Sequence, residues 1–389
     1  MRNSALSIGV VGVAAALVVT GCSSSKKATA TPANTGGATA PSSTASSSAS
    51  TTASSSGSSA ADGRGAKVGI ILPDTTSSPR WITADPDALK ADCLAANLKC
   101  DIQNANGDAA KMKTIAEQME SNGVKVLMIT DLDAASGAAI EQEATKNGVI
   151  PVDYDRLTPG GGAAVYVSFD NTKVGDFQGQ ALTQCSQVKG KAAVKYVEID
   201  GAATDNNATL FHNGYDGVLS KTPGWTKVDR QNGNWDAPTA AREFNSILSA
   251  HSDINAVMVA NDTMAGAVVT DLQNQHLNGR VAVSGQDASA QGLQHIMDGD
   301  QCFTIYKPST GEAGPAVNAI ALLANAQPPQ TNGVTIMDPK TNKPVPALLA
   351  TPTVITKANV ALPINAKYTP KSTVCTGVYV AKCVTAGVK

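Results

Sequence analysis

An α/β protein of two successive doubly wound lobes is what this sequence predicts, and three observations lead there. Short continuous apolar runs recur along the chain, the pattern of strands covered by helices on both faces. Each run alternates with a segment of helical period, which calls for parallel strands joined by right-handed crossovers. The runs end in polar clusters, and in an open parallel sheet the carboxyl ends of neighbouring strands share one crevice. Residues 254–287 carry all three features. Ala256-Val257-Met258-Val259-Ala260 stops at Asn261-Asp262; Ala265, Val268, Val269 and Leu272 repeat at helical spacing; after Asn278-Gly279, Val281-Ala282-Val283 stops at Ser284-Gly285-Gln286-Asp287. Asn261, Asp262 and Asp287 should then face one space, unless they only cap the helices and turns that follow.

The chain opens on a different kind of segment. Arg2, the apolar run 5–19 and the small residues before Cys22 have the layout of a signal peptide over residues 1–21, with an apolar run too short to span a bilayer. Residues 22–65 are mostly Ser, Thr, Ala, Gly and Pro without large apolar side chains, and are expected to form a disordered tether.

The alternation begins at the apolar run 67–72, whose polar sequel carries Arg80-Trp81. A helix (85–97), a strand (99–103) and an amphipathic helix (109–122) with Met112, Ile115 and Met119 on one face follow. The strand 124–129 ends in Thr130-Asp131-Leu132-Asp133, the helix 135–146 comes next, and the strand 149–152 ends in Asp153-Tyr154-Asp155-Arg156. Val165-Tyr166-Val167 restarts the pattern, with a helix from Ser168-Phe169-Asp170-Asn171 to Cys185, a strand at 192–199, a polar loop holding Asp205-Asn206-Asn207, and a helix at 208–220. Asn234-Trp235-Asp236 precedes the helix 238–252 and the unit 254–287. A helix (290–298), a strand (302–306), Lys307-Pro308, a long helix (311–326) and two strands around residues 338–343 complete the series.

Several classes of function are excluded early. The 389 residues carry 30 basic and 32 acidic side chains, a net charge of -2, without the concentrated basic excess of a nucleic-acid surface. The four histidines form no His-x-x-x-His pair and no Cys-x-x-Cys occurs, so no metal site is expected. There is no Gly-x-x-x-x-Gly-Lys loop, and Gly160-Gly161-Gly162 lacks the strand-to-helix setting of a dinucleotide fingerprint, so no cofactor is expected. Asp205, Asp287 and Lys307 are of acid, base or nucleophile types, but no nucleophile motif accompanies them, so an enzyme is not expected. Apart from Cys22 the cysteines are even in number, which favours disulfides in an exported protein. Cys93 with Cys100 and Cys375 with Cys383 are the local candidates. That leaves Cys185 with Cys302, a long-range pair compatible with a working hinge only if both fall in one domain.

The strand-end loops supply a consistent set: Arg80, Trp81, Asp155, Arg156, Asp205, Asn207, Trp235, Asn261, Asp287 and Lys307. Each hydroxyl of a sugar or polyol is both donor and acceptor, so carboxylates, amides and guanidinium groups satisfy it with strong, directional bonds. The C–H faces of a pyranose prefer a flat apolar partner, and Trp81 and Trp235 are two of only three tryptophans in a chain that is 4% aromatic. Core packing for the tryptophans and solvated surface charge for Arg80, Arg156 and Lys307 are the competing readings.

Those loops also carry a resemblance. Arg80-Trp81, Asp153-Tyr154-Asp155-Arg156, Ser168-Phe169-Asp170-Asn171, Asp205-Asn206-Asn207-Ala208, Asn261-Asp262, Ser284-Gly285-Gln286-Asp287 and Tyr306-Lys307-Pro308 resemble, in order, the signature of the type I periplasmic sugar-binding proteins, and residues 345–352 resemble that family's late hairpin. The resemblance implies two Rossmann-like lobes joined by a three-segment hinge, lobe one at 66–166 and 307–330, lobe two at 167–306 and 331–389 with a C-terminal extension. On that division Cys185 and Cys302 both sit in lobe two. It further implies a monomer that closes on a pentose (xylose-like) or related monosaccharide or polyol and docks on an ABC permease. Trp81 and Trp235 would contact the ring, Arg80, Arg156, Asp205, Asn207, Asn261, Asp287 and Lys307 would bond its hydroxyls, and Asp155 would orient Arg156. Val19-Thr20-Gly21-Cys22 is similar to the lipobox of bacterial lipoproteins, which implies a lipid anchor on Cys22 at the outer face of the cell membrane. A sensor lipoprotein that signals to a membrane receptor from the same pocket is the alternative. Two departures stand out: the acidic loop Asp131-Leu132-Asp133, and residues 360–389, which have no counterpart in that signature.

Overall fold

The computed structural model describes residues 61–389; the expected signal peptide, Cys22 and the tether as far as residue 60 lie outside the described residues. The tether was expected to reach residue 65, but residues 61–65 belong to the folded body. Gly63 N donates to Ala96 O (2.7 Å) and Gly65 N to Asn97 O (2.8 Å), while Ala61 N donates to Asn318 Oδ1 (2.9 Å). A segment poor in apolar side chains is held here by backbone hydrogen bonds, which composition does not reveal.

The first half runs β1 (Lys67–Leu72), a short 3-10 helix (Pro79–Ile82), α1 (Ala84–Ala95), β2 (Lys99–Asn104), α2 (Ala109–Ser121), β3 (Val126–Ile129), α3 (Ala134–Lys146), β4 (Ile150–Tyr154) and β5 (Tyr166–Phe169). The chain continues as α4 (Asn171–Thr183), β6 (Val194–Asp200), α5 (Asn206–Leu219), β7 (Trp225–Asn232), α6 (Ala237–Ala250), β8 (Ala256–Val259), α7 (Asp262–Asn274), β9 (Ala282–Val283), α8 (Ala290–Asp298) and β10 (Phe303–Tyr306). Last come α9 (Thr310–Ala324), β11 (Thr335–Met337), β12 (Pro344–Ala350), β13 (Thr353–Thr356), α10 (Ala361–Asn365), α11 (Lys371–Val374) and α12 (Tyr379–Thr385).

Among the described residues the strands form three sheets, in the orders β11-β12-β5-β4-β3-β1-β2, β7-β6-β8-β9 and β10-β13. The four-stranded sheet is wholly parallel, and the large sheet is parallel except where β11 meets β12. Alternate side chains of each central strand feed different cores, as the pleat requires. Val68, Ile70 and Leu72 of β1 pack with Leu89 of α1 and Val317 and Ile320 of α9, whereas Ile71 packs with Met112, Ile115 and Met119 of α2. In the smaller sheet Val257 and Val259 face α6 and α7, and Ala256 and Met258 face α4 and α5.

The expected lobe boundaries need correction. β12 runs parallel to β5, pairing Ala347 with Tyr166 and Ala350 with Phe169, so residues 335–350 belong to the first lobe's sheet, not the second's, and β5 carries that sheet to residue 169. The driving contact is apolar: Val345 and Ala347 bury against Leu157 and Tyr166. The chain thus leaves the large sheet after β5, returns after β10 and leaves again after β12.

The disulfides are Cys93–Cys100, Cys185–Cys302 and Cys375–Cys383. Cys185 follows α4 and Cys302 precedes β10, both in the second lobe. Residues 360–389 fold over α8: Ile364, Val374 and Cys383 share an apolar cluster with Leu293, Ile296 and Met297. Among the described residues no helix is long and apolar enough to cross a membrane.

Candidate functional site

The strand ends face each other across the gap between the two large sheets. There the polar clusters do two things at once. Asp205 starts α5 by accepting the Asn207 N–H (2.8 Å), and Asn261 starts α7 by accepting the Met264 N–H (3.1 Å), so both are N-caps, a reading the sequence had offered for Asn261. Their remaining atoms reach across the gap. Asn261 Nδ2 donates to Ser77 O (2.8 Å) in the β1–α1 loop, and Asp205 Oδ2 pairs with Arg156 Nε (3.0 Å) beyond β4. Asn207 Nδ2 adds a bond to Asp155 O (3.0 Å). Asp262, the other cap candidate, is the first residue within α7; its buried carboxylate accepts from Ser289 N (2.8 Å), Gln301 Nε2 (2.8 Å) and Thr304 Oγ1 (3.0 Å).

Between these bridges lies a narrow pocket with a cavity volume of about 30 Å³, so the cleft is nearly shut in this form. Every residue expected in the site lines it: Arg80, Trp81, Asp155, Arg156, Asp205, Asn207, Trp235, Asn261, Asp287 and Lys307. Ser77, Ser78, Phe211 and Gln286 line it as well.

Arg80 is not a surface charge. It is 3% exposed, and its guanidinium donates to Asp85 through Nε (2.8 Å) and Nη2 (2.6 Å), to Asp155 through Nη1 (2.8 Å), and to Glu312. Four of its five N–H groups are thereby used, leaving one on Nη1. Asp155 accordingly does not orient Arg156, as was expected; it pairs with Arg80 and lies 3.6 Å from Lys307 Nζ. Asp155 has a left-handed backbone (φ 62°), and the cations within its reach are Arg80 and Lys307. Arg156 is instead held by Asp205 and by the Asp131 carbonyl, to which Nη1 donates (2.6 Å). Burial pushes the Asp155 carboxyl up, but Lys307, then Arg80 and Arg156, more than offset this and hold it below the usual carboxylate range. Burial pushes Glu312 up in spite of Arg80, so this helix carboxyl is the one disposed to carry a proton.

The apolar walls are aromatic. Trp81 packs into the first lobe's core while lining the pocket, and its Nε1 donates to Ser77 Oγ (3.2 Å). Trp235 donates from Nε1 to Asp205 Oδ2 (3.0 Å) and meets Phe211 edge-on at 6.3 Å. A Cβ on Gly201 would fall 2.0 Å from the Trp235 ring, so glycine is required there. Trp235 (φ 59°) and Asp287 (φ 94°) share with Asp155 a backbone that side-chain-bearing residues seldom adopt, and such strain concentrates at binding sites.

A match to the periplasmic binding protein domain extends over residues 68–328. This chain belongs to the periplasmic binding protein family. The D-xylose-binding periplasmic protein of Escherichia coli is 34% identical, over 77% of this chain and 90% of that protein. A multiple sugar-binding periplasmic receptor of Rhizobium radiobacter is 28% identical, over 75% and 87%. Among solved structures, a carbohydrate transporter solute-binding protein of Chloroflexus aurantiacus in complex with D-glucose superimposes with a TM-score of 0.69 at 29% identity, covering 79% of this chain and 97% of that one.

In this periplasmic binding protein the acidic loop proves to lie outside the pocket lining: Asp133 is the N-cap of α3, and burial, then Asp205, pushes the Asp131 carboxyl well up. Of the pocket residues not singled out from sequence, Gln286 sits inside a quoted motif, and Ser77 and Ser78 in the loop before Arg80, so their position was the signal. Phe211 gave none, because an aromatic residue on a helix reads as core. Among the described residues one group could hold a metal, Glu198, Asp200 and His212, away from the pocket. Lys227 Nζ (3.1 Å from Glu198) and Arg230 Nε (2.5 Å from Asp200) already neutralise its carboxylates.

Proposed function

We propose that the protein is a lipid-anchored solute-binding protein of an ABC sugar importer, holding a pentose (xylose-like) or related monosaccharide or polyol between its lobes. The observation that carries this reading is the convergence of Arg156, Asp205, Asn207, Asn261, Asp287 and Lys307 with two indole rings in one pocket. Hydroxyl-bonding groups of both signs around flat apolar walls suit a neutral, polyhydroxylated ring. The bonds from Asn261 to Ser77 and from Arg156 to Asp205 join loops of different lobes, so they form only when the lobes meet, which is how closure would trap a ligand and create the surface a permease recognises. The relatives named for D-xylose and D-glucose support the ligand class. Cys22, after a signal peptide, supports a lipid anchor at the outer face of the cell membrane.

Calorimetry with D-xylose, other pentoses, hexoses and pentitols tests the pocket: one-to-one binding of at least one of them is expected, and no heat with any would end the proposal. Radiolabelled palmitate should enter the wild-type protein and not Cys22→Ala. A sensory role is the second reading, favoured by the similarity to a sugar receptor. Deletion of the gene separates the two, because loss of sugar uptake belongs to an importer and loss of a sugar-induced response with uptake intact belongs to a sensor.

A further inference from the structure

Asp287 and Ala288 are consecutive non-glycine residues with positive φ, 94° and 48°, at the point where the chain passes from β9 towards α8. Such a pair persists only where the surroundings over-determine it. Three hydrogen bonds do so. Asp287 N donates to Ile305 O (2.8 Å) and Ala288 N to Thr304 Oγ1 (3.1 Å), both on β10. The third comes from the far end of the chain: Thr369 Oγ1 donates to Ala288 O (2.7 Å), with Thr369 6% exposed and Ala288 fully buried.

We infer that the C-terminal segment, through Thr369, positions Asp287 and thereby sets the affinity of the pocket; the inference rests on the sugar-binding reading of that pocket. Among the described residues the Asp287 carboxylate has no hydrogen bond, only Lys307 Nζ at 3.7 Å, so its direction follows from the backbone that carries it. Thr369 can fix that backbone because its own segment is fixed on α8. Gln294 Nε2 donates to Val374 O (2.9 Å), Tyr379 OH to Asp298 Oδ2 (2.6 Å), and the Cys375–Cys383 bridge closes the loop between α11 and α12. Residues 360–389 lie beyond the span 68–328 matched by the family. Thr369 touches no sugar position, as it is absent from the pocket lining, and acts as a positioning residue.

The test is a double-mutant cycle read by calorimetry with D-xylose, and with D-glucose as a second probe. Thr369→Val keeps the shape and removes the donor, and should weaken binding about five-fold, the effect of one buried hydrogen bond. Thr369→Ser should restore wild-type affinity. In an Asp287→Asn background, Thr369→Val should cause no further loss, because the residue it positions no longer bears the charge that counts. Equal losses in both backgrounds would mean a purely structural role and overturn the inference, as would wild-type affinity in Thr369→Val. If the wild-type protein binds neither sugar, the sugar-binding reading fails and this inference goes with it; binding by the wild type with an unaffected Thr369→Val removes the inference alone.

Discussion

Asp205→Asn separates what holds the lobes together from what holds each lobe up. In the wild type Oδ1 caps α5, and Oδ2 accepts both Arg156 Nε and Trp235 Nε1 at 3.0 Å. Asparagine keeps an oxygen for the cap but turns an NH2 towards two N–H donors. Arg156, 6% exposed, then retains only the Asp131 carbonyl in the closed form. Breaking a buried pair by removing one partner costs about 3–5 kcal/mol. Taking the lower end, the closed form loses about 3 kcal/mol, or about 150-fold in apparent affinity, before any direct bond from Asp205 to the ligand is counted. With the lobes apart Arg156 meets water and only the Trp235 bond, which lies within the second lobe, is lost, so the ligand-free protein should melt within about 4 °C of wild type. Calorimetry with the preferred sugar and thermal melts with and without it measure both quantities. An affinity within about three-fold of wild type, or a ligand-free melting point lowered as much as the liganded one, would refute the reasoning.

The other expectations concern stability. Cys185→Ser combined with Cys302→Ser opens a bridge across a separation of 117 residues and should cost about 2–4 kcal/mol in denaturant unfolding, while sugar affinity stays the same because the bridge lies within one lobe. Burial pushes the Asp262 carboxyl from 3.8 to about 7, so the folded protein binds a proton there that the unfolded chain has released. That contribution to stability is fully present below about pH 4 and is lost as the pH rises to about 7, up to about 4 kcal/mol in all. Urea unfolding across this range should show a shallower dependence in Asp262→Asn, and an unchanged slope would exclude Asp262 as its source.

Strands buried on both faces were legible as continuous apolar runs; hence β1, β3, β8 and β10 and the polar loops after them could be placed from sequence. β7 (Trp225–Asn232) was not, because an edge strand paired only with β6 has no fully buried residue and its sequence, WTKVDRQN, lacks an apolar run. The choice between cap and site for Asn261 was a false one, since its side chain has two ends and uses both, as Asp205 does too.

By itself the sequence determined the alternation of strand and helix, through local periodicity, the family, through motifs that resemble its signature in order, and ten of the residues that line the pocket, through the side chains that end each strand. Tertiary structure alone decided that β12 joins the first lobe, that Asp155 serves Arg80 and Lys307 instead of Arg156, and that Thr369 reaches Ala288 from a distant segment. These outcomes turn on backbone direction at a few left-handed residues and on which buried polar group has a partner within reach. No local pattern encodes either, since the competing partners are equally suitable in type and differ only in where packing places them.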